Sequence, residues 1–186
     1  TSGEQALVVY DRKEREVRKA TLAGNGQWLE SFTEYNAKGE VWRTSSPRFR
    51  NNGPLYWTTM EYDALGRPTK ETAPCGQNDP TGCVTQWAYN GLNTEQTNPR
   101  GHKHYRRTNA LGQLIRSEDH LGTVVTYEYD AFDNLINTTK SATGLPDVIV
   151  SMGYDLRGHK TSMTDPDMGS WTYQYNTFGE LISQTD

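Results

Sequence analysis

The 186-residue chain has few of the residues that build a thick apolar core. Hydrophobic residues make up only 33% of it, with four phenylalanines and four methionines, and the mean hydropathy is −0.86. No apolar run exceeds a few residues, which excludes a membrane span. The net charge of −4 leaves no basic surface suited to nucleic acid. The composition therefore argues against both a membrane-spanning and a nucleic-acid-binding protein.

The abundant residue types favour turns and partly solvent-exposed surfaces. Eleven tyrosines and five tryptophans outnumber the phenylalanines, and such rings combine an apolar body with a polar tip. Seventeen glycines and eight prolines are spread along the chain, so turns are frequent and long helices are not expected. Residues 11–20 are the one helix candidate.

A seven-residue motif recurs seven times. The copies are YNAKGEV from Tyr35, YDALGRP from Tyr62, YNGLNTE from Tyr89, TNALGQL from Thr108, YDAFDNL from Tyr129, YDLRGHK from Tyr154 and YNTFGEL from Tyr175. The spacing between the starts of consecutive copies is about the length of sequence that forms one β-hairpin, as expected of a repeat architecture. A decayed eighth copy, YDRKERE, begins at Tyr10, where Glu14 breaks the pattern.

Two positions of the motif carry turn chemistry. The second is always Asp or Asn, whose side chains bond to nearby backbone and start turns. These residues are Asn36, Asp63, Asn90, Asn109, Asp130, Asp155 and Asn176. The fifth is a residue type that accepts positive φ, as a bulged type I hairpin loop requires. These residues are Gly39, Gly66, Asn93, Gly112, Asp133, Gly158 and Gly179.

A second class of turn falls between the motifs, in NPRG, DHLG, SATG and DPDMG. Period-2 stretches such as TVVTYEY separate the two classes and indicate strands. The sequence therefore predicts an all-β fold, an antiparallel meander of about 15 strands forming a broad curved sheet. We expect an N-terminal stretch over residues 1–34 with the degenerate repeat, and seven hairpin repeats over 35–186.

These motifs resemble the YD repeats of the Rhs family. The resemblance extends from Tyr35 to Asp186 and is most evident in YDALGRPTKETAP, YEYDAFDNLINTT and DPDMGSWTYQYNTFGELISQTD. The spacing to DPDMGSWTYQY also resembles that in bacterial Rhs proteins and in the shell-forming components of insecticidal toxin complexes. In that family, repeats form a long β-ribbon that spirals into a hollow shell around a C-terminal toxic polypeptide.

The resemblance implies a non-catalytic segment of such a shell, secreted or at a bacterial cell surface. The implied partners are flanking Rhs repeats and an encapsulated toxin polypeptide, and open strand edges predict edge-to-edge self-association. We expect a processed chain or a piece of a longer one, because the chain opens with Thr1. No Rhs core with its self-cleaving aspartate is recognisable, so autoproteolysis and toxicity are not carried over.

Catalytic, cofactor-binding and metal-binding residues are not predicted. Asp63, Asp130 and Asp155 occupy a position that Asn fills in other copies, whereas a catalytic carboxylate would not be interchangeable with an amide. His102 and His104 share one predicted strand face, but no carboxylate spacing completes a metal set. The DPDMG stretch, Asp165 to Gly169, is typical of a turn rather than of a calcium loop.

Two features leave alternatives open. Cys75 and Cys83 bracket one long turn, where they form a disulfide in a secreted context or a free pair otherwise. The tyrosines and tryptophans also suit a secreted carbohydrate-binding or cell-surface adhesion module with glycans as partners. Their recurrence in every repeat favours cross-strand packing instead.

Overall fold

The computed structural model describes residues 5–76 and 82–186, which form 17 β-strands and no helix. The first nine strands are β1 (Ala6–Tyr10), β2 (Glu16–Leu22), β3 (Trp28–Tyr35), β4 (Val41–Ser45), β5 (Arg48–Phe49), β6 (Trp57–Tyr62), β7 (Pro68–Ala73), β8 (Cys83–Asn90) and β9 (Asn93–Thr97). The others are β10 (Lys103–Thr108), β11 (Leu114–Glu118), β12 (Val124–Tyr129), β13 (Leu135–Ser141), β14 (Val148–Tyr154), β15 (Lys160–Asp165), β16 (Gly169–Tyr175) and β17 (Leu181–Thr185). Over these residues no helix could cross a membrane. The predicted all-β antiparallel fold is confirmed.

The chain divides into two compact units. The first runs to Trp87 and includes Thr97–Gly101. Its strands pair antiparallel in the order β1, β2, β3, β4, β6, β7 and β8, and the short β5 pairs with the start of β3. Strand β3 thus has β4 beside one half and β5 beside the other.

The second unit comprises Ala88–Gln96 and His102–Asp186. From β10 to β17 each strand pairs antiparallel with the next, so eight strands form an unbroken meander. Because the chain reverses at every strand, the motif turns lie at one end of the strands and the intervening turns at the other.

Burial is shallow across the described residues. The only apolar side chain that is fully buried is that of Ala20, and the other two buried residues are Glu30 and Ser45. Glu30 is 4% exposed, and its carboxylate pairs with Arg18 at 2.6 Å and Arg50 at 3.4 Å. The stability of this polar chain therefore depends on strand pairing and turn chemistry more than on an apolar core.

The third motif copy folds differently from the prediction. Asn93 is the first residue of β9 and does not have positive φ, and Asn90 ends β8. Only Gly91 and Leu92 connect the two strands, and Gly91 has φ of 57°. A two-residue hairpin needs positive φ at its first central residue, which glycine supplies without steric cost. The prediction that Asn93 is the left-handed turn residue is therefore wrong.

The helix candidate over residues 11–20 is also wrong. Residues Asp11 to Arg15 form a hairpin turn, and the following residues belong to β2. Strand β2 is paired on both sides, by β1 and β3, so its backbone groups are satisfied in the sheet.

Candidate functional site: the repeated hairpin turns

The Asp or Asn at the second motif position organises each turn. Its Oδ1 accepts two backbone hydrogen bonds of 2.8–3.0 Å, from the amides two and four residues later. This holds at Asp11, Asn36, Asp63, Asn109, Asp130, Asp155 and Asn176. Asp11 belongs to the copy at Tyr10, so that copy folds like the others. A local side-chain acceptor thus replaces the partners that these amides lose where the chain reverses.

The fifth motif position is left-handed in the same seven turns. The φ angles run from 61° to 90°, at Glu14, Gly39, Gly66, Gly112, Asp133, Gly158 and Gly179. The strand register also shifts immediately before each motif's first residue, which marks a β-bulge. Glu14 does not break the repeat, because it adopts the conformation that glycine adopts elsewhere.

The sixth motif position was missed by the sequence analysis, although the sequence carried its signal. Where the second residue is Asp, the sixth bears a donor that contacts Oδ2: Arg15, Arg67, Asn134 or His159. Where the second residue is Asn, its amide donates to an acceptor on the sixth: Glu40, Gln113 or Glu180. These contacts span 2.6–3.0 Å. The two positions are chemically complementary in all seven turns.

The sixth side chain also lies against the next repeat. A Cβ placed on Gly179 would lie 2.9 Å from His159 Nε2, and one on Gly66 would lie 3.0 Å from Glu40 Oε1. The His159 ring stacks on the Tyr175 ring with centroids 4.8 Å apart. Glycine at the fifth position therefore serves two needs, the positive φ and the space for the preceding repeat's side chain.

The first motif residue completes the link between repeats. In five motifs the tyrosine hydroxyl donates to the backbone carbonyl of the preceding motif's seventh residue, at 2.8–3.0 Å. The pairs are Tyr35–Glu16, Tyr62–Val41, Tyr129–Leu114, Tyr154–Leu135 and Tyr175–Lys160. Each bond joins residues 15 to 21 positions apart in the sequence, so the tyrosine couples one repeat to the previous one.

The turn carboxylates have lowered pKa values. The Arg15 side chain, with the backbone amides of the turn, lowers the pKa of Asp11 to about 2. The backbone amide of the sixth residue lowers the pKa of Asp63 and Asp155, and the Asn134 side chain lowers that of Asp130. Hydrogen bonds to the charged form are the common cause. These carboxylates are held ionised as acceptors, which is the opposite of what a general acid requires.

The intervening turns use related chemistry. Asp119 Oδ1 accepts from the amides of Leu121 and Thr123 at 2.9 Å, and Gly122 has φ of 80°. Asp165 Oδ1 accepts from the amides of Asp167 and Met168 at 2.8 and 3.1 Å. The DPDMG stretch is thus a turn closed by Asp165.

The histidines pair differently from the sequence-based interpretation. The His102 ring stacks on that of His120, with centroids 3.9 Å apart and planes 5° apart. His102, which directly precedes β10, thus stacks on a histidine from the turn between β11 and β12. Over residues 5–76 and 82–186, no group of three or more His, Cys, Asp or Glu side chains is placed to hold a metal ion.

Cys75 and Cys83 are joined by a disulfide in the structure, with Cα atoms 5.1 Å apart. Cys83 begins β8, and its strand partner is Ala73, the last residue of β7. The bond therefore joins a residue two positions after the end of β7 to the first residue of β8. Residues 77–81 of the intervening turn lie outside the described residues.

Comparisons with known proteins identify the repeat and the fold. Residues 109–145 match the RHS Repeat family model, and no curated protein matches the chain. Crystal structures of TcdB2-TccC3-Cdc42 and TcdB2-TccC3-TEV match 97% of the chain at 17% and 18% identity, with TM-scores of 0.60 and 0.59. That of TcdB2-TccC3 without the hypervariable C-terminal region matches at 16% identity and a TM-score of 0.59.

This chain spans only 12% of the length of each of those chains. At such identity the likeness shows the fold, and the RHS Repeat match shows the type of repeat that builds it. The matched segment, residues 109–145, contains two motif turns, those of Asn109 and Asp130. The recognition of the repeats from sequence is therefore confirmed: residues 109–145 are an RHS repeat, and the chain has the fold of the TcdB2-TccC3 structures.

Proposed function

We propose that this chain is a non-catalytic wall segment of an Rhs-type shell that encloses a toxic polypeptide and helps deliver it. The observation that carries the proposal is the tyrosine bond that links five of the motifs to the preceding one, as in Tyr154 to Leu135. The fold similarity to TcdB2-TccC3 structures supports the same reading. The expected partners are flanking Rhs repeats and the enclosed polypeptide, and the expected location is extracellular.

Each repeat contains the side chain that closes its turn, its own β-bulge and a hydrogen bond to the neighbouring repeat. The array can therefore be extended by many repeats without the need for a new apolar core. Each repeat adds two strands, and the stability grows mainly with nearest-neighbour contacts. Such an array suits a thin wall, because it covers area with few buried side chains. The shallow burial of this chain supports that use.

Carbohydrate binding or adhesion is the alternative function. The motif tyrosines direct their hydroxyls to backbone carbonyls, and the Tyr175 ring is stacked on His159. Rings engaged in this way have less free face to stack on a sugar. We therefore favour the wall function, and a glycan array on the 186-residue chain tests the alternative directly.

Protection of a cargo tests the wall function. In the protein that carries this segment with its flanking repeats and C-terminal polypeptide, we expect added protease to spare that polypeptide. Disrupting two adjacent links with Tyr129→Ala and Tyr154→Ala should open the wall and expose the polypeptide, whereas Arg106→Ala at an exposed strand position should not. Equal cleavage in the unmodified protein and the tyrosine variant would contradict the proposal.

A further inference from the structure

The residue directly before the motif forms a cross-strand ion pair in the first two of the seven copies. It is Glu34 in one and Glu61 in the other, and the residues directly opposite are Arg43 and Lys70. Both pairs have an N–O distance of 2.9 Å. Arg43 donates to both carboxylate oxygens of Glu34, from Nε and Nη2. In these copies a carboxylate therefore faces a cation across the strands.

The fourth copy has an arginine where those copies have glutamate. Arg107 directly precedes Thr108, and the residue directly opposite it on β11 is Arg116. Arg116 forms a 2.8 Å ion pair with Glu118, whereas the guanidinium of Arg107 makes no hydrogen bond or ion pair with any described residue. Like charges directly opposite each other destabilise a sheet. Such a departure from an otherwise consistent repeat indicates a functional position.

Both arginines line a groove formed by β8 to β11, within the second unit. Asn90, Asn93 and Tyr105 also contribute to its walls, and we call this site the arginine groove. Its volume is about 460 Å³. Sites for small molecules have volumes of about 300–1,000 Å³, so the arginine groove has room for one ligand of the size of a sugar ring.

Glu95 also lines the arginine groove, but its carboxylate is already engaged. It forms a 2.7 Å ion pair with Lys103. Hydrogen bonds from the side chains of Lys103 and Tyr105 lower the pKa of Glu95. Glu95 therefore does not neutralise the two arginines, and the groove keeps an excess of positive charge on a chain whose net charge is −4. An anion is the class of ligand that this charge favours.

Tyr105 gives the groove an aromatic surface that other copies lack. It lies three positions before the motif, where the second, fifth and seventh copies have Thr59, Thr126 and Thr172. Its side chain is 40% exposed, and its hydroxyl bonds to Glu95, which fixes the ring. An aromatic ring beside two asparagine amides suits a ligand that has an apolar ring face and hydroxyl groups. A sugar ring has both.

We propose that the arginine groove binds a small sugar acid. The carboxylate of the ligand bridges Arg107 and Arg116, in the place of the glutamate that other copies have. The sugar ring packs on Tyr105, and the side-chain amides of Asn90 and Asn93 bond to its hydroxyls. This site goes beyond the wall function and does not rest on it, because Tyr105 is not a motif tyrosine and one repeat alone carries the arginine pair.

NMR titration of the isotope-labelled 186-residue chain with glucuronate tests the site. A ligand of about 13 non-hydrogen atoms with ordinary ligand efficiency has a dissociation constant of about 1 mM. We expect that affinity, with amide shifts concentrated in β8 to β11. Glucose and acetate should each bind at least about tenfold more weakly, because glucose lacks the carboxylate and acetate lacks the ring.

Three variants identify the groups that bind. Arg107→Glu restores the arrangement of Glu34 and Arg43, so it should weaken glucuronate binding at least about tenfold. Its urea midpoint should be unchanged or higher, because the repulsion is removed. Arg100→Glu makes the same change of charge at an exposed turn residue and should keep the affinity. Tyr105→Thr should weaken glucuronate binding but leave acetate binding unchanged.

Several results would overturn the proposal. These are no binding of glucuronate to the unmodified chain at about 20 mM, equal binding to the Arg107→Glu variant, or equal affinity for glucuronate, glucose, acetate and a glutamate-containing peptide. On a glycan array, this site predicts binding confined to acidic sugars and lost in the Arg107→Glu variant. Protection of the cargo from protease should be the same in that variant, so the sugar site and the wall function can fail separately.

Discussion

The Tyr154 hydroxyl donates a 3.0 Å hydrogen bond to the backbone carbonyl of Leu135, 19 positions earlier in the chain. Leu135 is the first residue of β13 after the Asp130 turn, and Tyr154 ends β14 before the Asp155 turn. One side chain thus adds a link between two consecutive motif turns, beyond the end of the β13–β14 backbone ladder. The same relation holds at four other tyrosines, so it is a recurring link between repeats in addition to strand pairing.

Removing that hydroxyl should weaken the fold measurably. We expect Tyr154→Phe to lower the free energy of unfolding by about 1 kcal/mol, the usual net value of one hydrogen bond. The matched control is Tyr127→Phe, since the Tyr127 hydroxyl makes no hydrogen bond among the described residues and its loss should cost little. Urea unfolding followed by circular dichroism compares the two. Equal effects would mean that the hydroxyl bond contributes nothing specific.

The complementarity of the second and sixth positions predicts a rescue. Asp63→Asn should destabilise the turn by losing the 2.7 Å ion pair to Arg67, and Arg67→Glu should do so by placing two carboxylates together. The double variant reproduces the Asn36–Glu40 arrangement, so it should regain most of the lost stability. A double-mutant cycle in urea measures the coupling. Additive losses would show that the two positions act independently.

Acid should destabilise the chain through its turns. The pKa of Asp11 is lowered to about 2 from 3.8, and the pKa values of Asp63, Asp130 and Asp155 are lowered as well. A folded-state pKa below the unfolded value contributes stability that is complete above about pH 5 and is lost as the pH falls toward 2. The urea concentration at the midpoint of unfolding should therefore be constant from pH 7 to 5 and should decrease below pH 4.

A control isolates the contribution of one carboxylate. Asp130→Asn removes one titrating group but keeps the side-chain oxygen that accepts the turn amides. Its urea midpoint should decline less between pH 4 and 2.5 than that of the unmodified chain. An identical decline would assign acid sensitivity to other groups.

The positive φ at the fifth motif position predicts that two Gly→Ala substitutions differ in their effect on stability. At Gly112, φ is 84° and nothing lies within 4 Å of an added Cβ, so Gly112→Ala tests backbone conformation alone. We expect a loss of about 1 kcal/mol in unfolding free energy. Gly24 has equal space without the positive φ, and Gly24→Ala should be neutral or slightly stabilising. Thermal unfolding of both variants checks this, and a neutral Gly112→Ala would contradict it.

The disulfide between Cys75 and Cys83 remains a prediction for the protein in solution. Intact mass should rise by two protons on reduction, and alkylation without reductant should fail. Closing a loop of eight to nine residues stabilises by about 2–3 kcal/mol in the chain-entropy account. The variant C75A/C83A should show that loss, and reductant should then have no further effect on it. Rapid labelling of both thiols in the native chain would show that the bond is absent.

The sequence by itself determined the features that depend on local chemistry. An Asp or Asn followed three positions later by a residue that accepts positive φ closes a turn within five residues, and six of the seven turns predicted in this way are present. The alternation of apolar and polar residues between the turns then indicated the strands. For the same reason the recognition as YD repeats was possible without knowledge of any long-range contact.

Tertiary structure decided what depends on neighbouring strands. In the third motif copy only Gly91 and Leu92 connect β8 and β9, and Asn93 lies in a strand, so the motif pattern did not decide this turn. Glu14 accepts a left-handed conformation because Asp11 and Arg15 hold its turn closed. The Tyr154–Leu135 bond depends on the register between β13 and β14, which no five-residue pattern encodes. Local turns are set by nearby atoms, whereas the coupling of repeats exists only after the strands have paired.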